Sequence, residues 1–175
     1  MLGKLLSQIT EKYTVEHLKE LEQAESLFRY TGFTAKDALA LGTQIVHEAE
    51  KCGEGIAVRI VRISDNLPIF QYVDNDRNGR NLEFARMKAN VAELTEHSSL
   101  WSLVNAAVIG DDPYGLEKQA DCLPVGGAFP IFAGDELCAI VMVSGLHHGY
   151  DHQVIVDARC AVLGCEAPAF HGTMI

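Results

Sequence analysis

The chain has 175 residues, enough for one domain with its own core. Hydrophobic residues make up 48% of it and charged residues 22%, an ordinary globular composition. Its 24 acidic residues against 14 basic ones give a formal net charge of -10, a field that repels phosphate backbones and argues against nucleic acid as a partner.

In chain order, Leu2 to Lys12 and Val15 to Gln23 carry helical spacing. Thr14 is placed to cap the second piece, with His17 where a full capping box has Glu. Glu25 to Tyr30 (ESLFRY) alternates in part and is expected as an edge-type strand. Thr34 caps the next helix, with Asp37 in its first turn, and Ala38, Ile45 and Ala49 lie on one face before Cys52-Gly53 stops it. Gly55 to Ile63 and Leu67 to Val73, joined by Ser64-Asp65-Asn66, predict an antiparallel hairpin. Pro68 lacks a donor, so it belongs near a strand start or on an edge.

After the polar loop Asp74 to Asn81, a helix runs to about Glu96 with two apolar stripes. Leu82, Ala85, Ala89 and Ala92 form one; Phe84, Val91 and Leu94 form another, roughly opposite. Two stripes imply burial on both sides, and a second subunit is the simplest second cover. Ser98 or Ser99 caps a further helix to Val108. Ala128 to Phe132 and Glu136 to Ser144 form a second hairpin around Gly134-Asp135, its second member apolar on both faces as in a central strand. Asp151 to Leu163 closes the chain as an apolar helix. Hairpins covered by helices predict an α/β fold with one five-stranded antiparallel sheet and helices on both sides.

The amino end, MLGKLLSQITEKY, lacks the apolar h-region of a signal peptide, and no stretch approaches the ~20 apolar residues of a membrane span. Five cysteines without a CxxC pair argue for a reducing compartment. The expectation is a single domain over 1–175, with 1–24 as a helical extension packed on or beside it, cytoplasmic and without a membrane partner.

Most site chemistry lies in or beside Asp121 to His152 (DCLPVGGAFPIFAGDELCAIVMVSGLHHGYDH). The pieces GGAFPI at Gly126 to Ile131, VSGL at Val143 to Leu146 and DH at Asp151-His152 resemble the GlcG/HbpS-like family, often called the haem-degrading domain family, and more closely its branch of uncharacterised single-domain proteins. FTAKDALALG at Phe33 to Gly42 is similar too, as is the pattern of Lys88, Asn90, Ser98 and Ser99. The resemblance implies a profilin-like α/β/α sandwich, a homo-oligomer (dimer or larger), and haem or a corrinoid as possible ligands.

Four groups are candidates for chemistry. His147, His148, Asp151 and His152 offer metal or haem-iron ligands, with His148 and His152 four apart; equally, Asp151 is placed to cap a helix whose histidines are solvated. Ser144, Asp151 and His152 invite a hydrolytic reading, but adjacent Asp and His on a helix point about 100° apart. Gly126-Gly127 either lets backbone donors approach an anion or makes a turn entering the strand. Lys88, on an apolar face, clamps a propionate or phosphate, pairs with an acid, or snorkels to water.

The leading expectation is a small-molecule-binding homo-oligomer. Its ligand-binding residues would be Lys88, Ser99, Gly126, Gly127, Ser144, Gly145, Asp151 and His152, for haem, a corrinoid or a small anion. The alternatives are a haem-degrading or hydrolytic enzyme and an oligomeric scaffold for protein partners.

Overall fold

A computed structural model of the chain describes residues 1–9, 12–147 and 149–175. The elements are α1 (Leu2–Leu6), α2 (Val15–Ser26), β1 (Arg29–Tyr30), α3 (Ala35–Cys52), β2 (Ala57–Arg62), β3 (Leu67–Val73), α4 (Gly79–Thr95), α5 (Ser99–Ile109), β4 (Ala128–Ala133), β5 (Glu136–Ser144) and α6 (Tyr150–Leu163), with a 3-10 turn at Leu116–Lys118.

The five strands form one sheet in the order β1-β4-β5-β2-β3. β5 is central, antiparallel to both β4 and β2, and β2 is antiparallel to β3. The sheet is nevertheless mixed: β1 pairs with β4 in parallel. This corrects the expectation of a purely antiparallel sheet. The strand expected over Glu25 to Tyr30 also shrinks. Glu25 and Ser26 complete α2, and Leu27 still has helical dihedrals, so the chain extends only at Arg29–Tyr30. Phe28, fully buried, stacks on Phe129 with ring centroids 4.6 Å apart and pins this crossing to β4.

Helices cover both faces. α3 and α6 share a core with Val58 and Ile60 of β2 and Val141 and Val143 of β5. Thr34 and Asp37 cap α3 reciprocally: Asp37 Oδ2 accepts from the Thr34 N–H at 2.7 Å, and the Thr34 hydroxyl accepts from the Asp37 N–H at 3.3 Å. Gly42 on α3 faces Phe70 so closely that a Cβ would collide with the ring, and its absence lets β3 pack against the helix.

On the other face Ala85, Ala89 and Ala92 of α4 lie on Ile140 and Met142. Val91, from the second stripe, is covered by α5 of the same chain, whereas Phe84 and Leu94 remain exposed. The chain itself therefore supplies part of the cover expected from a second subunit. α1 and α2 pack on α5, and His17 Nδ1 accepts from the Thr14 N–H at 3.1 Å, replacing the expected Glu of a capping box. No helix among the described residues is long and apolar enough to cross a membrane.

Candidate ligand pocket at the β5–α6 corner

β5 ends at Ser144, the chain turns through Gly145 and Leu146, and α6 begins at Tyr150 with Gly149 as its N-cap. Asp151 is therefore inside the first helical turn, not at the N-cap as expected. Its carboxylate turns back instead: Oδ1 accepts from the Leu146 N–H at 2.9 Å and closes the corner. Oδ2 meets the Lys88 ammonium of α4 at 2.6 Å. Lys88 is 3% exposed and Asp151 6%, so the ion pair is buried. Lys88 also donates to the Val143 carbonyl at 3.1 Å, which commits two of its three protons. Of the readings open for this lysine, the structure shows the pairing with an acid.

Gly127 explains how a lysine and an aspartate fit behind a strand. Its φ is +128°, and a Cβ there would lie 2.6 Å from the Val143 carbonyl oxygen, 2.7 Å from Lys88 Nζ and 2.9 Å from Asp151 Cβ. Only glycine leaves room for the pair. Gly126, one residue earlier, packs on His152 and directs its N–H to the main-chain oxygen of Ile175 at 2.6 Å. Ser99, at the start of α5, accepts from the Ala128 N–H at 3.1 Å and ties that helix to the first residue of β4. Lys88, Val125, Gly126, Leu146, Gly149 and Asp151, with Met174 and Ile175, line an open cavity of ≈ 410 Å³, within the range of small-molecule sites.

His152 lies behind this wall. It is 1% exposed, its ring tilted over Phe129 at 4.7 Å and 6.4 Å from Phe170. Its Nδ1 has no hydrogen-bond partner among the described residues. Burial, reinforced by the Lys88 charge, pushes its pKa down to about 3, so the imidazole is neutral. Asp151 directs its oxygens to Lys88 and Leu146, so the hydrogen bonds of a Ser-His-Asp relay are not formed.

The other expected residues fall elsewhere. Ser144 is buried and pairs with Ala57 across the ladder. Gly145, at φ +144°, makes way for Arg77, whose guanidinium donates to the Gly145 carbonyl at 3.0 Å. The His147 ring pairs with Glu54 at 2.6 Å. His148, expected with His152 as a metal ligand, lies outside the described residues. Among the described residues no group of three or more His, Cys, Asp or Glu side chains is arranged to hold a metal ion.

Sequence reasoning missed the segment after α6, which brings Met174 and Ile175 to the pocket and Phe170 beside His152; three apolar residues in a stretch without helical spacing were the available signal. A larger cleft, ≈ 500 Å³, lies between α4 and the β2–β3 face beside Arg59, Arg86 and Glu93. The smaller cavity is lined by the buried Lys88–Asp151 pair and backed by the unpartnered His152 Nδ1, so the chemistry favours it.

The three-layer α/β arrangement, with its mixed five-stranded sheet and a polar corner between central strand and last helix, defines the class of protein. The chain belongs to the family described as haem degrading protein, HbpS-like, whose model matches residues 33–159. It is similar to a UPF0303 protein of Burkholderia mallei, 32% identical over 151 residues, covering 84% of this chain and 90% of the relative. Among solved structures it shares its fold with the Ybr137w protein, at TM-score 0.72 and 22% identity over 93% of this chain and 92% of that one. It also shares it with PduOC in a haem complex, at TM-score 0.60 and 18% identity over 80% and 99% of the two chains.

Proposed function

We propose that the chain binds a carboxylate-bearing small molecule, haem foremost, in the pocket at the β5–α6 corner. One observation carries the reading: a buried, neutral histidine nitrogen without a partner stands beside a buried lysine with a proton to spare. Unsatisfied buried polar groups are costly, and a ligand that reaches them relieves that cost. The Lys88 ammonium and the Gly126 N–H suit an anionic oxygen such as a haem propionate. A neutral imidazole is the form that ligates haem iron. The His152 ring is enclosed, with Phe170 on one side, so iron ligation there requires the wall to open. The relatives add support, since one structural neighbour was solved as a haem complex and the family is named for haem degradation.

Lys88, Gly126 and Asp151 are the polar wall of the proposed pocket, with Gly127 and His152 behind it and Ser99 holding β4 in place; Ser144 and Gly145 form the strand exit. The profilin-like topology is part of this reading. So is self-association, for which the exposed Phe84 and Leu94 are the support.

A haemin titration followed by absorbance tests the proposal on the wild type, Lys88→Gln and His152→Phe, each checked for folding by circular dichroism. Saturable binding that weakens about tenfold or more in Lys88→Gln is expected, the loss of one charge-assisted hydrogen bond. Equal affinity in the wild type and Lys88→Gln would remove the pocket from consideration. A Soret shift unchanged in His152→Phe would remove His152 as an iron ligand.

A further inference from the structure

Beyond α6 the chain does not leave the domain. Gly164 reverses it in a left-handed conformation, and residues 166–175 run without helix or strand across α2 to the pocket mouth. This segment is held by apolar packing of Phe170, Met174 and Ile175 on the α5 side and by hydrogen bonds. The His171 N–H and ring reach the two carboxylate oxygens of Glu20 at 2.9 and 2.7 Å. The Tyr13 hydroxyl donates to the Thr173 carbonyl at 2.5 Å. Met174 lies hard against Gly149, and the Ile175 main-chain oxygen accepts from the Gly126 N–H at 2.6 Å.

The last contact is informative. Gly126 is the backbone donor of the pocket, and the acceptor that satisfies it comes from the protein's own chain. The oxygen sits where the proposed ligand would place a carboxylate, and the Met174 and Ile175 side chains occupy part of the cavity wall. Such a segment is removable. Each hydrogen bond contributes about 1 kcal/mol net, and the His171–Glu20 pair, its histidine exposed, adds little.

We propose that residues 170–175 are an intramolecular occupant of the pocket, displaced when a ligand sets a carboxylate oxygen in place of the Ile175 main-chain oxygen at the Gly126 N–H. This rests on the reading that the pocket takes a ligand. It deepens that reading by naming the group recognised and the segment that competes for it. Displacement sets the ligand's carboxylate beside Lys88, which has two of its three protons committed, to Asp151 and the Val143 carbonyl. It also withdraws Phe170 from the side of His152.

The test uses the full chain, the double variant Tyr13→Phe/Glu20→Ala, whose changes lie outside the pocket, and two probes, haemin and iron-free protoporphyrin IX. Affinity is read by absorbance and fluorescence, and release of the segment by hydrogen exchange of the 166–175 peptide. Haemin is expected to bind the double variant about tenfold more tightly than the wild type. Both probes are expected to accelerate exchange in the wild-type peptide. Haemin binding with equal affinity in both proteins and an unchanged peptide would overturn displacement while leaving the pocket assignment standing. Release by haemin but not by protoporphyrin IX would overturn the carboxylate as the displacing group. If neither protein takes up haemin, the pocket reading itself falls.

Discussion

Lys88 and Asp151 are 63 residues apart in sequence and 2.6 Å apart in the fold, where they join α4 to the first turn of α6 behind the glycine pair that precedes β4. Removing one partner of a buried ion pair strands the other charge, a loss typically of about 3–5 kcal/mol. Lys88→Met is expected to fall in that range in urea unfolding. Asp151→Asn keeps one acceptor, for either the Leu146 N–H or Lys88, sets its NH2 against the other donor, and should cost a similar amount. A double variant as destabilised as the sum of the two singles would show that the pair is not energetically coupled.

The pH dependence of stability should carry a signature of His152. In the unfolded chain its pKa is 6.5 and in the fold about 3. Between these values the unfolded state holds a proton that the folded state does not. Stability is thus fully present above about pH 6.5 and lost as pH falls towards 3, on the order of 5 kcal/mol in all. His152→Phe lacks this titration, and its stability should fall less steeply over that window, measured by urea unfolding at stepped pH. Parallel curves for the two proteins would contradict the assignment.

Gly127→Ala meets two obstacles, a φ of +128° and the crowding of Val143, Lys88 and Asp151. Strain and overpacking together predict about 2–4 kcal/mol of destabilisation. Gly134→Ala is the control: φ is also positive, at +62°, but no atom stands within 4 Å of the added methyl. Its cost should be nearer 1 kcal/mol. Thermal unfolding of both variants separates crowding from dihedral strain.

Arg159 on α6 donates from Nε to the Leu27 carbonyl at 2.8 Å and places its guanidinium 3.9 Å above the Tyr30 ring. Lysine keeps the charge but not the planar fork that does both. Arg159→Lys should lower stability by about 1–2 kcal/mol in urea. An unchanged midpoint would show that the stacking and the hydrogen bond contribute nothing net.

Much of the fold was legible because its signals are local. Thr34 with Asp37, Gly53 after α3, the turn residues between β2 and β3, and the unbroken apolar run of β5 each act within a few residues. The parallel β1–β4 pairing was not legible. It depends on where α2 stops and on Phe28 finding Phe129 a hundred residues on, which no local spacing encodes. The same division runs through the pocket. Gly126, Gly127 and Asp151 stood out by residue type, but Asp151 turned from the expected cap to a partner on another helix. Arg77 gave no sign of its bond to Gly145, because polar loops are rich in arginine for many reasons.

β3 is the outermost strand, and half of its backbone donors and acceptors therefore face outward. Pro68 contributes no N–H to that row, and the irregularity between Ile60 and Val61 breaks the register beside it. At the opposite margin β1 offers only two residues. Neither side presents the long, even ladder on which a foreign strand assembles. Both margins of the sheet are thus short or interrupted, a form that discourages edge-to-edge pairing with another chain.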